Sequence, residues 1–191
     1  MRIHLHPAAA PLMLLFFSTA CRTGAPFDAP QRAGLAEKII SGWAAPSRLA
    51  AAKTIDQYGP PDALSESALG WKRRGVWKRI VVRNGEGAGG RADLEVTVAC
   101  RTPETRRRAL EAFDKGVRLS ADAGELSARS TGESLDILAL NLADEILRGA
   151  RDPGDASEVY DRTVELAASG LSSPYMKTLL FPTGEQRPSE P

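Results

Sequence analysis

The densest group of side chains that could do chemistry lies between Glu66 and Glu86, where basic residues and tryptophans occur together without an intervening acid. The six cations of this segment are Lys72, Arg73, Arg74, Lys78, Arg79 and Arg83, and its tryptophans are Trp71 and Trp77. Guanidinium and indole groups side by side can bind an anionic head group, a glycan or a protein partner. This segment is therefore the candidate binding site.

The pattern inside the segment indicates which side chains share a face. Residues 76–83 are β-branched and aromatic, which is typical of a strand. Side chains two positions apart on a regular strand point the same way, so one exposed face is expected, extended by the arginines of the preceding turn. The residues of this predicted binding face are Trp77, Arg79, Arg83, Arg73 and Arg74. The alternative is that the charges protect an edge strand against pairing, with a tryptophan packed beneath a helix.

Enzymatic chemistry has little support in the residues. His4 and His6 are the histidines of the chain, and both lie in the segment that we expect to be removed on export. Without them the usual general base and the nitrogen ligands of zinc are missing. We expect no catalytic residue, no metal site and no cofactor. The alternative is a hydrolase of cell-wall or lipid material that uses carboxylates alone.

Three isolated features look like sites but favour a structural interpretation. The glycine-rich residues 84–90 are followed by Arg91 and a strand, whereas a phosphate-binding loop needs Lys-Ser or Lys-Thr and a helix. Cys100 has no second cysteine nearby and is expected to be a small buried residue. Asp136 falls inside the apolar arc of a helix, near its start, where it is expected to interact with the free amides.

Hydrophobic periodicity predicts the elements that position these residues. The expected helices cover 31–42, 48–58, 103–115, 132–148 and 155–168, and the expected strands cover 67–72, 76–83, 93–101, 117–121 and 126–130. We therefore predict an α+β fold, an antiparallel sheet of about five strands with helices packed mainly on one face.

Two helices carry specific predictions. The helix over 132–148 has the widest apolar arc, which includes Leu138 and Leu142, and Ser130 and Glu133 have the spacing of a capping box at its start. In the helix over 48–58 we expect Ser47 to be the N-cap. Its predicted apolar stripe consists of Leu49, Ala52 and Ile55.

The first residues have the composition of an export signal. Arg2 supplies positive charge, and the apolar run from Ala8 to Phe17 is shorter than the roughly 20 residues that span a bilayer. We predict a signal peptide over 1–20. The remaining expected units are a lipid anchor and tether over 21–30, one α+β domain over 31–181 and a disordered tail over 182–191, which is polar and rich in proline.

The run Ser18-Thr19-Ala20-Cys21 resembles the lipobox of bacterial lipoproteins, with Ser18 where that pattern usually has leucine. The resemblance implies that Cys21 carries a diacylglycerol anchor. Arg22, directly after it, implies the periplasmic side of the outer membrane. Loss of Arg2 with the signal peptide would leave 24 basic and 24 acidic residues, and export argues against nucleic acid as a partner.

Residues 51–84 (AAKTIDQYGPPDALSESALGWKRRGVWKRIVVRN), with the later runs GELSARS, LALNLADEIL and PYMKTLLF, resemble an uncharacterised family of bacterial envelope lipoproteins. A weaker resemblance, carried by Gly59-Pro60 and Trp71, is to small outer-membrane-assembly lipoproteins of the SmpA/OmlA type. Neither resemblance implies an activity. The expected function is that of a non-enzymatic envelope lipoprotein that binds the outer-membrane surface, an envelope protein or a glycan.

Overall fold

The computed structural model describes residues 28–85, 91–100 and 106–183. The helices in chain order are α1 (Ala29–Ser41), α2 (Ala45–Tyr58), α3 (Arg107–Glu111), α4 (Glu133–Arg148) and α5 (Pro153–Ala168), followed by one 3-10 turn (Pro174–Met176). The strands are β1 (Ala63–Leu64), β2 (Ala68–Arg74), β3 (Trp77–Arg83), β4 (Asp93–Ala99), β5 (Val117–Ser120) and β6 (Glu125–Ser130). The predicted α+β class is confirmed.

The described strands form one antiparallel sheet in the order β1-β2-β3-β4-β6-β5. The strand that the sequence pattern did not predict is β1, which pairs Ala63 with Gly70 and Leu64 with Leu69. Two residues are too few to show an alternating pattern. The consequence for the candidate site is that β3 lies inside the sheet, between β2 and β4, and is not an edge strand.

The core lies between one face of the sheet and the helices. Alternate strand residues on this face are buried, among them Leu69, Ile80, Val82, Val96 and Leu126. Helices α2 and α4 contact the sheet, and α5 packs against α4. Leu138 and Leu142 of α4 are completely buried, as its apolar arc predicts. The opposite face of the sheet carries mainly charged and polar side chains.

The predicted apolar stripe of α2 is correct only in part. Ala52 and Ile55 are partly buried against the core, whereas Leu49 is 58% exposed, and the buried residues of the helix are Ser47, Ala51 and Thr54. The Ser47 hydroxyl accepts a hydrogen bond from the Gly85 amide (3.0 Å) and donates to the Arg91 carbonyl (3.4 Å). Ser47 is not the N-cap, because the helix begins earlier, with Ala44 as its N-cap residue. Its long-range polar contacts and the burial of Ala51 fix the side of α2 that is turned inward.

The start of α4 also differs from the predicted capping box. Gly132 is the N-cap residue, and no side chain caps the helix. The Ser130 hydroxyl donates to the Gly132 carbonyl (2.9 Å), while the Glu133 carboxylate accepts hydrogen bonds from Tyr58 and Trp77. Glu133 bonds to α2 and β3 and so links three elements rather than closing its own helix.

The two ends of the described chain extend slightly beyond the predicted domain. Helix α1 begins inside the predicted tether, because Asp28 and Gln31 form a capping box at its start. At the other end Thr183 is 2% exposed, so burial continues past residue 181. Cys21 and residues 184–191 lie outside the described residues.

Asn141 of α4 forms hydrogen bonds with the C-terminal segment. The side-chain amide of Asn141 donates to the carbonyls of Tyr175 (3.0 Å) and Thr178 (2.9 Å), and its oxygen accepts from the Leu180 amide (2.8 Å). A buried amide with these partners is well satisfied. The segment therefore packs against α4, as α5 does. Within the described ranges, no helix is both long and apolar enough to cross a membrane.

Candidate binding groove

Trp77 is buried, and its predicted place on an exposed face is wrong. Its side chain is 3% exposed, and its indole Nε1 donates to the Tyr58 hydroxyl (2.9 Å) and to Oε1 of Glu133 (2.9 Å). The buried residues of β3 are 77, 80 and 82, so the period of two breaks before Ile80. In the same hairpin Arg73 and Gly75 have φ values of 52° and 57°. We attribute the break to this left-handed backbone, which turns Trp77 toward the helices.

Arg79 and Arg83 lie on the sheet face opposite the helices and do not share a surface with Trp77. Nη2 of Arg79 is 3.2 Å from the Thr97 hydroxyl and 3.4 Å from Glu125. Nη2 of Arg83 is 2.8 Å from Glu95. Both arginines are thus paired with acids of β4 and β6. Because β3 is an interior strand, the alternative that its charges protect an edge is wrong for it as well, whereas the other part of that alternative, a tryptophan packed beneath a helix, agrees with the burial of Trp77.

Arg73 and Arg74 occupy a third location, at the end of the β2–β3 hairpin. Arg73 is exposed, while Nη2 of Arg74 pairs with Asp62 at 2.9 Å and its Nε donates to the Tyr58 carbonyl (3.2 Å). Burial would raise the pKa of Asp62, but the Lys72 amide and the Arg74 guanidinium lower it below its ordinary value. The predicted binding face is therefore divided among three separate environments.

A groove of about 560 Å³ lies between α2 and the start of α4, and it is hereafter called the α2–α4 groove. Sites for small organic ligands commonly have about 300–1,000 Å³. Its apolar walls include Pro46, Leu49, Leu94 and Leu135. Its ionic side chains are Lys53, Arg91 and Glu133. The groove is accessible because α2 turns Ser47 and Ala51 to the core and leaves Leu49 at the surface.

Glu133, the carboxylate of this lining, is hydrogen-bonded within the protein. It accepts hydrogen bonds from the Tyr58 hydroxyl (2.5 Å) and the Trp77 indole, and Gln57 donates to the same hydroxyl (2.8 Å). Burial and the bond to Glu133 raise the pKa of Tyr58 above its ordinary value, so the hydroxyl remains a donor. The cluster joins β3, α2 and α4, and two of its members, Gln57 and Glu133, line the groove.

The two cations of the groove, Lys53 and Arg91, are exposed. Neither the Lys53 ammonium nor the Arg91 guanidinium has a hydrogen-bond or ion-pair partner among the residues that the structure describes. The arginines on the opposite sheet face, in contrast, are paired with acids. The groove therefore combines apolar walls with two positive charges available to a ligand.

Asp136, one turn into α4, is buried and does not line the groove. It is 0% exposed, and in the described part of the chain neither carboxyl oxygen has a hydrogen-bond partner. The expected hydrogen bonds from helix amides to this carboxyl are therefore absent among the described residues. Burial, followed by repulsion from Glu133, Glu95 and Asp93, raises the pKa of Asp136 to about 8. The Ser130 hydroxyl would lower it, but donates to Gly132 instead.

No family model, no curated protein and no solved structure matches this chain. The resemblance to envelope lipoproteins therefore stays a prediction from the quoted residues.

Proposed function

We propose that this chain is an envelope lipoprotein, anchored through Cys21 on the periplasmic side of the outer membrane, and that it acts by binding a ligand in the α2–α4 groove. The observation that carries the binding role is the groove itself, about 560 Å³ with apolar walls and two cations without partners among the described residues. Binding to such a surface is favourable when apolar atoms of the ligand cover the walls and an anionic group pairs with the cations.

The alternative, a carboxylate-dependent hydrolase, finds less support in the same groove. Hydrolysis by paired carboxylates needs both groups beside the substrate, with one acting as acid and the other as base or nucleophile. Glu133 lines the groove with its carboxylate bonded to Tyr58 and Trp77, and Asp136 is completely buried behind it. This arrangement suits a wall of a binding site better than a reacting pair.

Substitution of the anchor cysteine tests the lipoprotein part of the proposal. In Cys21→Ala we expect the chain to move from the membrane fraction to the aqueous fraction, because a multiply acylated anchor holds far more firmly than a single chain. Fractionation with immunoblotting, and mass spectrometry of the N-terminal peptide, measure both changes. Cys100→Ala is the matched control and should stay membrane-bound with its acyl groups. Equal fractionation of wild type and Cys21→Ala would contradict the anchor.

Photo-crosslinking in cells tests the binding part. A photoreactive amino acid at position 49 is expected to capture a ligand, whereas the same group at position 171 is not. The two leucines are matched in exposure, at 58% and 59%, but Leu49 lines the groove and Leu171 follows α5 outside it. Mass spectrometry of the purified chain detects the adduct. Equal labelling at both positions, or none at position 49, would count against the groove as a binding site.

A further inference from the structure

We infer that the ligand of the α2–α4 groove is a single-chain amphiphile with an anionic head group, of the fatty-acid class. This inference rests on the proposed function, since it names the chemistry of what the groove binds. It follows from three properties of the groove: its apolar walls, its two cations that have no partner among the described residues, and its restricted volume.

The walls favour an aliphatic chain. Leu49 and Leu135 flank the groove from the two helices, and Leu94 of β4 lies beneath them. Leu49 leaves 58% of its surface in water. An alkyl chain that lies between the helices removes this apolar surface from water without needing hydrogen-bond partners.

The charges favour an anionic head. Lys53 follows Leu49 by one helical turn, so the ammonium lies on the same side of α2 as the apolar wall. Arg91, at the approach to β4, lines the same groove. A carboxylate there can accept charge-assisted hydrogen bonds from both cations, whereas a cationic head would meet repulsion. Glu133 lines the same groove, but its carboxylate bonds to Tyr58 and Trp77 and forms no ion pair with either cation, so the lining keeps a formal charge of +1.

The volume favours one chain rather than a membrane surface. At about 560 Å³ the groove is of the size that holds an individual small molecule, and it lies between two helices instead of on a flat face. A bilayer cannot enter such a space, but one monomeric amphiphile can.

Calorimetric titration with three head groups tests the inference directly. The full chain carrying Cys21→Ala is titrated with dodecanoate, dodecan-1-ol or dodecyltrimethylammonium, each below its micelle or solubility limit. We expect dodecanoate to bind about tenfold or more tightly than the alcohol, and the cation to bind most weakly. The affinity for dodecanoate should also fall as salt rises, because exposed charges are screened.

Matched variants locate the site. Lys53→Glu combined with Arg91→Glu should weaken dodecanoate binding by about tenfold or more, while Arg48→Glu, on the same helix but outside the groove lining, should not. Leu49→Glu should likewise weaken binding, and Leu171→Glu should leave it unchanged. The substituted leucines are exposed, so the fold is expected to survive, and a thermal melt verifies it.

The outcomes separate the two proposals. Absence of dodecanoate binding, equal affinity for the three head groups, or equal loss in Arg48→Glu would overturn the fatty-acid inference. If position 49 nevertheless captures a ligand in cells, the groove still binds and only its ligand class is wrong. If position 49 captures nothing, the proposed function fails with it.

Discussion

Replacing Leu142 with alanine is expected to lower the free energy of unfolding by about 2–5 kcal/mol, a large share of the stability of a domain of this size. Leu142 is completely buried in the middle of α4, the helix that contacts the sheet on one side and α5 and the C-terminal segment on the others. Surroundings fixed on several sides cannot collapse into the cavity, which adds to the lost transfer free energy.

Urea unfolding followed by circular dichroism measures this loss. The control is Leu171→Ala, which removes the same atoms from a side chain that is 59% exposed and should change stability by no more than about 0.5 kcal/mol. Unfolding midpoints that coincide for the two variants would mean that α4 is peripheral. The arrangement of helices around it would then need revision.

The burial of α4 could be predicted from the sequence because one pattern determines it. An apolar arc at helical spacing fixes which side chains are turned inward whatever the neighbouring elements are, and Leu138 and Leu142 lie on that arc. The same holds for β4, where alternation predicts the buried positions of Leu94, Val96 and Val98.

The groove could not be predicted, because long-range contacts decide which side of α2 is buried. Leu49, Ala52 and Ile55 form a reasonable apolar stripe, yet Ser47 bonds to Gly85 and Arg91, far along the chain, and the helix is turned accordingly. A hydroxyl group that bonds to residues after β3 has no local signature in the sequence. Leu49 is exposed because this orientation of α2 directs it away from the core.

The prediction of a single binding face on β3 was wrong for a related reason. Alternation correctly placed Arg79 and Arg83 on the same side of β3, but their partners come from strand pairing, which sets Val81 opposite Glu95 and Arg83 opposite Asp93. Trp77 departs from this alternation, and we attribute its direction to the left-handed backbone at Arg73. Charge density along a segment therefore indicates a strand with many ionic contacts and not, by itself, a surface of free cations.

Asp136 is the buried group whose titration should dominate stability near neutral pH. Its pKa is about 8 in the folded chain, against 3.8 for the free side chain, chiefly because burial disfavours the charged carboxylate. A folded state that holds the proton more tightly than the unfolded state loses stability as pH rises between these two values. The lowered pKa values of Asp62, Glu125 and Glu145 act in the opposite sense, but below their ordinary range.

We therefore expect the free energy of unfolding of the wild-type chain to fall by on the order of 3 kcal/mol between about pH 5 and pH 8, with a slope of at most about 1.4 kcal/mol per pH unit. In Asp136→Asn the side chain cannot ionise, so its unfolding free energy should be nearly constant over this range and exceed that of wild type at pH 8. Urea unfolding at unit steps of pH measures both curves.

Asp144→Asn is the matched control for this experiment. Asp144 belongs to the same helix but pairs with Arg148 at 2.6 Å near the surface, so its replacement should leave the slope between pH 5 and pH 8 unchanged. If the unfolding free energy of the wild-type chain does not change over this range, the Asp136 carboxyl must have water or a hydrogen-bond donor beside it, contrary to the prediction. A sloping curve retained in Asp136→Asn would assign the proton to another group. Loss of the slope in Asp136→Asn alone would identify this carboxyl as the group that makes the fold less stable as the pH rises.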